Sequence, residues 1–302
     1  MYSIKAISSL TGLGAETLRA WERRYGTVAP KRDEGGRRYY SQLDLEHLML
    51  LANLSRQGHS IGKLTGLSIS ELQKLQQVNK KTQENYQEFI EQIGTALSEY
   101  RFNQCEQMLK RALMAKEPLP YLRDVLIPAL IHVGDLWHEQ KISIAQEHMF
   151  SACVKRILLG MVNSLQSLSG NRPAMMFATP SGEPHEFGVL MCCLLAAEQD
   201  FDCYYLGANV PADDLLLAAK KLQIEVLVLG LTKSPTDPET LIELNKLAAA
   251  SANNNAVIWL GGSALNQLYS ESPGSVEQCE LIADIDDFYA KAKQWRYKER
   301  ER

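Results

Sequence analysis

The sequence predicts a multi-domain chain of class α and α/β: a small helix-turn-helix unit carrying a hairpin, then a helix bundle, then a doubly wound parallel sheet. Three observations carry this. The first 75 residues read as short helical units around a basic, glycine-containing loop. From Phe89 to about Leu168 apolar residues recur at helical spacing. After Gly170 short apolar runs alternate with amphipathic stretches, the mark of successive strand-helix-strand units. A length of 302 residues suits two or three domains. With 45% hydrophobic and 23% charged residues, neither disorder nor a fibrous repeat is indicated.

No apolar run approaches the roughly 20 residues that span a bilayer, and Met1 to Lys5 begin no apolar leader. The expectation is a cytoplasmic protein with no membrane partner. The six cysteines form no paired motif or regular frame, so they read as reduced thiols and not as a disulfide scaffold or zinc site.

In the first unit, Ile4 to Leu10 predicts a helix, Thr11 to Gly14 a tight turn, and Ala15 to Tyr25 a second helix. On that second helix Leu18, Trp21 and Tyr25 share one face, and Glu16, Arg19 and Arg23 share another. Downstream, Ala29 to Tyr40 predicts a hairpin turning at Gly35-Gly36, with Arg37, Arg38, Tyr39 and Tyr40 on its return limb. Ser41 and Asp44 have the spacing of a helix capping box. Residues 1 to 40 carry eight basic and four acidic side chains, a local charge of 8 − 4 = +4 against −4 for the whole chain. Charge alone fits an ordinary solvated face. Order and spacing point to a polyanion-binding head on an acidic body.

The run Leu18-Arg19-Ala20-Trp21-Glu22-Arg23-Arg24-Tyr25-Gly26, followed by Gly35 to Tyr40, resembles the MerR family of transcriptional regulators across residues 2 to 68. The resemblance implies a winged helix-turn-helix that binds double-stranded operator DNA as a dimer. Its DNA contacts would be Arg19, Arg23 and Arg24 on the recognition helix and Arg37, Arg38 and Tyr39 on the wing. This head spans residues 1–75. Gln, Asn, Lys and Glu then dominate the stretch to residue 88, so residues 76–88 read as a polar linker or exposed helix, with no sustained heptad for a dimerising coiled coil.

Residues 89–168 form the expected bundle, on apolar positions such as Ile90, Ile93 and Leu97, then Met108, Leu109 and Leu113, then Leu126, Leu130, Val133 and Leu136. Strands are expected at Ala174 to Ala178, Cys203 to Leu206, Glu225 to Leu229 and Ala256 to Leu260, in a Rossmann-like domain over residues 172–296 with a charged tail at 297–302.

The segment Thr179 to Gly188 follows the first of these strands, where open α/β sheets bind ligands. In it His185 offers an imidazole donor suited to cobalt, and Glu183 could accept the other ring N–H and fix the tautomer. Gly188 would let a bulky ligand approach the helix start. A lone histidine is more often structural than a ligand. The segment nevertheless resembles the D-x-H-x-x-G signature of cobalamin-binding modules, and the resemblance spans residues 172 to about 296. It implies His185 as lower axial cobalt ligand, with the displaced nucleotide tail in a crevice near Thr232, Gly261 and Gly262. Two positions depart from the pattern. Glu183 stands where Asp is commoner, and Gly230 stands where a Ser is usual, leaving Thr232 as the hydroxyl.

In the bundle, Trp137-His138 with Glu147-His148 matches the W…EH spacing of light-sensing cobalamin regulators. By that likeness Trp137, Glu147 and His148 lie over the upper axial group, and His138 is a possible cobalt ligand after light. The resulting expectation is a non-enzymatic DNA-binding repressor that uses adenosylcobalamin as light sensor, with a dimer or tetramer that changes on loss of the adenosyl group. The alternatives are a cobalamin-independent regulator controlled by a protein partner and, less well supported, a corrinoid methyl carrier.

Overall fold

The computed structural model describes residues 1–33, 35–56, 59–166, 172–233, 238–251, 256–265, 267–268 and 278–300. The last residues expected in the bundle, 167–168, and the end of the expected tail, 301–302, lie outside the described residues. The chain forms two compact units, Met1–Glu88 and Phe89–Arg302.

In the first unit β1 (Tyr2–Ser3) leads into α1 (Ile4–Thr11), whose N-terminus is capped by the Ser3 hydroxyl accepting from the Ala6 amide at 3.3 Å. Gly12 ends α1 in the left-handed region at φ 71°, a conformation that favours glycine. The recognition helix α2 (Ala15–Tyr25) follows and ends on Gly26. The hairpin strands β2 (Lys31–Arg32) and β3 (Arg38–Tyr40) pair antiparallel, Arg32 opposite Arg38, and β1 adds to the other edge of β3. Strand β1 is an addition to the sequence reading, being only two residues long. Ser41 and Asp44 make the reciprocal cap at 2.7 and 3.1 Å that starts α3 (Gln42–Arg56). Leu18 and Trp21 of α2 pack on Ile7, Tyr40, Leu48 and Leu51 as one apolar core.

After α4 (Ile61–Leu64), a second capping box joins Ser68 to Glu71 and opens α5 (Ile69–Ser98), a helix of 30 residues that runs through the stretch expected as a polar linker or exposed helix.

The second unit begins with the end of α5, then α6 (Phe102–Met114), α7 (Pro118–Tyr121), a π-helical turn (Leu122–Leu126), α8 (Ile127–His138) and α9 (Ile144–Leu165). Ser143 and Gln146 form the capping box of α9, and the buried Gln146 amide also donates to the Leu97 and Ser98 carbonyls at 2.9 and 3.0 Å. One side chain thus starts α9 and terminates α5. Among the described residues no helix is long and apolar enough to cross a membrane.

The sheet is five-stranded and parallel, in the order β5 (Asp202–Val210), β4 (Ala174–Pro180), β6 (Val226–Gly230), β7 (Val257–Gly261), β8 (Glu280–Ile282). All seven residues of β4 are buried, as a central strand covered on both faces requires. One layer holds α10 (Phe187–Glu198) and the last helix α13 (Ile285–Arg300), with Phe288 edge-on to Trp259 and Phe177 at 5.8 and 6.3 Å. The other holds α11 (Ala212–Lys221) and α12 (Pro238–Ser251), whose Leu215, Leu244 and Leu247 pack on Met176, Leu229 and Leu260. The chain turns back between β5 and β6 on either side of β4, so the topological switch point opens at the carboxyl end of β4.

Candidate functional site

That end of β4 is built around one carboxylate. Glu183 has a fully buried side chain and accepts four hydrogen bonds. Oε1 takes the His185 amide at 2.9 Å and His185 Nδ1 at 2.5 Å, and Oε2 takes the Thr232 and Lys233 amides at 2.6 Å each. Burial works against the charge, but the three amides and the imidazole outweigh it and hold the carboxyl below its ordinary value. The loop itself is tied down by Gly182, whose amide donates to Asn209 Oδ1 at 2.7 Å, and by the Thr179 hydroxyl donating to the Glu183 carbonyl.

Because a carboxylate only accepts, the Nδ1 contact assigns the proton of a neutral His185 to Nδ1 and leaves the Nε2 lone pair available. The ring is 57% exposed and lines a cavity of about 630 Å³. Around it stand Gly188 and Val189 of α10, Val228 to Thr232 at and beyond the end of β6, Gly261 to Ser263 at and beyond the end of β7, and Ile282 to Ile285. The structure therefore brings His185, Gly188, Thr232, Gly261 and Gly262 to one cleft, with Glu183 buried behind it.

The glycines have different reasons. At Gly262, φ is 121° and a Cβ would lie 2.1 Å from the Leu231 carbonyl oxygen, so only glycine fits. At Gly230 a Cβ would meet Val189 Cγ1 at 2.8 Å, so a Ser here would require Val189 to shift. At Gly188 a Cβ would meet nothing within 4 Å, so the glycine leaves room and does not relieve a close approach within the chain. Thr232 contributes its amide to Glu183, while its side chain is exposed.

On the bundle, Trp137 is 40% exposed near the end of α8, its ring 4.7 Å from that of His138. Glu147, in the first turn of α9, contacts His148 Nδ1 at 2.5 Å and accepts from the Ser151 hydroxyl at 2.6 Å. His148 is 69% exposed. Trp137 thus contacts His138 and Glu147 contacts His148, and among the described residues none of the four hydrogen-bonds to or stacks on His185.

Sequence reasoning missed the connection between the two sides. Two turns beyond Glu147, Lys155 donates to Glu186 Oε1 at 2.6 Å, and Glu186 Oε2 accepts from the Tyr205 hydroxyl at 2.5 Å. Glu186 is the residue after His185 and the cap of α10. The residues are 31 and 19 positions apart, so no local pattern announces them.

In the head, Arg19, Arg23, Arg24 and Arg37 are exposed, Arg19 paired with Glu16 and Arg24 over the Tyr25 ring at 5.5 Å. Tyr39 is half-buried. Arg38 differs, because its Nε donates to Glu22 Oε2 at 2.7 Å, which straps the wing to the recognition helix. Arg32 reaches the other oxygen of the same carboxylate at 3.4 Å.

Residues 2–77 match the MerR HTH family regulatory protein description, and residues 89–159 match the B12 binding domain. The chain is 28% identical over 269 residues to the HTH-type transcriptional repressor CarH of Myxococcus xanthus, covering 87% of this chain and 89% of that protein. It is 27% identical over 238 residues to the repressor CarA of the same organism, covering 78% of each. Among solved structures, the Methanosarcina barkeri monomethylamine corrinoid protein shares the fold with a TM-score of 0.55 at 15% identity, over 70% of this chain and 99% of its own. The chain thus joins a MerR-type helix-turn-helix head to a B12 binding body, and is homologous over most of its length to the CarH and CarA repressors.

Proposed function

We propose that this protein is a transcriptional repressor that holds adenosylcobalamin in the His185 cleft and releases operator DNA on illumination. The observation that carries this reading is His185, its Nδ1 engaged by a buried Glu183 and its ring on the wall of the cleft. A neutral imidazole oriented through one nitrogen by a carboxylate is a strong axial ligand through the other. The fit is supported by Gly188, where a Cβ would meet nothing within 4 Å, so the start of α10 leaves open space beside His185.

When bound, adenosylcobalamin supplies a cobalt–carbon bond that light breaks. The residues divide the remaining work. Glu183 fixes the tautomer of His185, and the cleft walls of Val189, Val228, Leu229 and Phe288 exclude water. Trp137, Glu147 and His148 would pack against a large ligand on the bundle side, and His138, whose ring lies beside that of Trp137, would be the residue available to hold the metal after light. In the head, Arg19, Arg23 and Arg24 face the groove, and Arg37 and Tyr39 meet the backbone, with Arg38 also held to Glu22. The homologous repressors support DNA as partner. Several heads held in one homo-oligomer bind far more tightly than one, so a change of assembly is a change of affinity.

The test follows one preparation through absorption spectroscopy, size-exclusion chromatography and gel retardation, without cofactor, with adenosylcobalamin in the dark, and after light. The expected result is a dark oligomer that retards DNA and a lit form that does neither. Identical size and DNA affinity in all three states would overturn the light switch and leave a cobalamin-independent regulator as the account.

A further inference from the structure

Among the described residues the cleft has polar groups at its mouth and none of comparable strength on its floor. Thr232, Ser263 and Asp284 are exposed at its edge. Deeper residues are apolar: Val189, Met191, Val228, Leu229, Ile282 and Phe288, each buried. The floor's backbone is already used, since β6 pairs with β4 on one side and β7 on the other, and the Leu231 amide donates to the Gly261 carbonyl at 2.9 Å. Cys192 adds a thiol to the wall, but burial pushes it up to about 12, and a neutral thiol is a weak donor. At Gly230 a hydroxyl-bearing side chain could enter only if Val189 gave way, because a Cβ there would lie 2.8 Å from Val189 Cγ1.

Resting on the reading of His185 as axial ligand, we propose that this floor sorts cobalamin-type cofactors by the polarity of the nucleotide base they carry, with Val189 and Gly230 as the residues that set the preference. Once His185 replaces the base on cobalt, a benzimidazole brings into the cleft a ring nitrogen that needs a partner. A phenol-type base brings none. A purine brings several ring nitrogens and an exocyclic amine. A buried polar group left unpaired is costly, whereas an apolar ring on an apolar floor is favoured. The cleft therefore takes phenolic bases at least as readily as benzimidazoles and disfavours purines.

The experiment titrates the full-length protein in the dark with three adenosyl cofactors, carrying 5,6-dimethylbenzimidazole, para-cresol or adenine. Affinity is read from tryptophan fluorescence, and the rise in melting temperature gives a second readout. The cresol form should bind within about threefold of the benzimidazole form or more tightly, and the adenine form at least about tenfold more weakly. The paired change Val189→Ala with Gly230→Ser makes room for a hydroxyl and should move the preference toward benzimidazole by about fivefold. Benzimidazole bound tenfold more tightly than cresol by the unaltered protein, or adenine bound equally well, overturns the sorting while the His185 reading stands. Failure of all three to bind removes the His185 reading itself.

Discussion

Changing Glu183 to Gln tests whether the cleft is organised by a charge or by a shape. The carboxylate accepts two bonds at each oxygen, at 2.9 and 2.5 Å on one and 2.6 and 2.6 Å on the other. A carboxamide replaces only one oxygen, so its NH2 must face two donors. Two charge-assisted bonds are lost, each worth about 1.5–3 kcal/mol before the loop relaxes, so a net loss of about 3 kcal/mol is expected. With the charge gone and one oxygen left for two pairs of donors, His185 is held less firmly and should lose cofactor affinity by about tenfold, the lower end of the effect of removing a group behind a metal-binding imidazole. His185→Ala makes the contrast. It leaves all three amides on Glu183, so stability should fall by only about 1 kcal/mol while cofactor binding falls further than in Glu183→Gln. Urea unfolding of the cofactor-free protein reads the first quantity, and dark titration with adenosylcobalamin reads the second. Equal stability losses in the two variants, or wild-type cofactor affinity in Glu183→Gln, would refute the reasoning.

Other perturbations separate the remaining parts of the molecule. Arg37→Ala should weaken binding to all DNA sequences and lower the salt slope by about one; Arg38→Ala should weaken it too, but Glu22→Gln should reproduce that effect if the strap to α2 matters, as gel retardation over a salt series will show. Gly262→Ala should destabilise the body by about 3 kcal/mol or more in thermal unfolding, since φ is 121° and the Leu231 carbonyl blocks the new methyl. Glu243 caps α11 by accepting the Ala212 amide at 2.5 Å, and that bond, then the Lys246 ion pair, holds its carboxyl below the ordinary 4.5. A depressed folded value gives stability that is present above the ordinary value and lost as pH falls through the folded one; Glu243→Gln should therefore cost about 1–2 kcal/mol at pH 7 and progressively less as pH falls below the ordinary 4.5, read by denaturation at each pH. Trp137→Ala should retain the His-ligated spectrum yet uncouple cofactor from oligomer size, whereas His138→Ala should alter only the spectrum of the illuminated product; unchanged chromatograms and spectra in both would sink these roles.

Local signals were legible where neighbours in sequence make the structure. The two helices of the head, the Gly35-Gly36 hairpin and the Ser41–Asp44 cap depend on spacings of a few residues, and α2 occupies Ala15–Tyr25 as the periodicity requires. The five-stranded sheet was legible in four strands. The three residues of β8 are too few to show alternation, and β8 pairs with β7 only after an intervening segment. The polar run before residue 88 reads as a linker because few apolar residues mark a buried face, yet the Ser68–Glu71 cap marks a helix start just before it. At the cleft, His185 and Glu183 are two residues apart and visible together. The amides of Thr232 and Lys233 that hold Glu183 are 49 and 50 positions away and belong to tertiary structure alone. The partner of Arg38 is hidden for the same reason: the sequence places it on the wing, and only folding sets Glu22 beside it.

The contact from Lys155 to Glu186 bounds what one chain can do as a switch. Glu147 opens α9, and Lys155 lies eight residues on, about 12 Å along a rigid helix. Glu186, held by Lys155 and Tyr205, is bonded in sequence to His185. On the proposed reading, a displacement beside Glu147 would reach His185 through one helix and one ion pair, and by linkage the reverse would hold equally. A partly exposed ion pair contributes at most about 1 kcal/mol, and coupling between two sites is typically 1–3 kcal/mol, or about 5- to 150-fold. Moving a two-state equilibrium from 1:99 to 99:1 needs about 5.5 kcal/mol. A single body coupled to a single head at that strength would leave DNA partly occupied in both states. Joining the heads multiplies the per-chain difference, because loss of one assembly contact removes the effective concentration of every other head. On the proposed reading, the cleft therefore has only to tip an assembly equilibrium, and the oligomer turns that small difference into release of the operator.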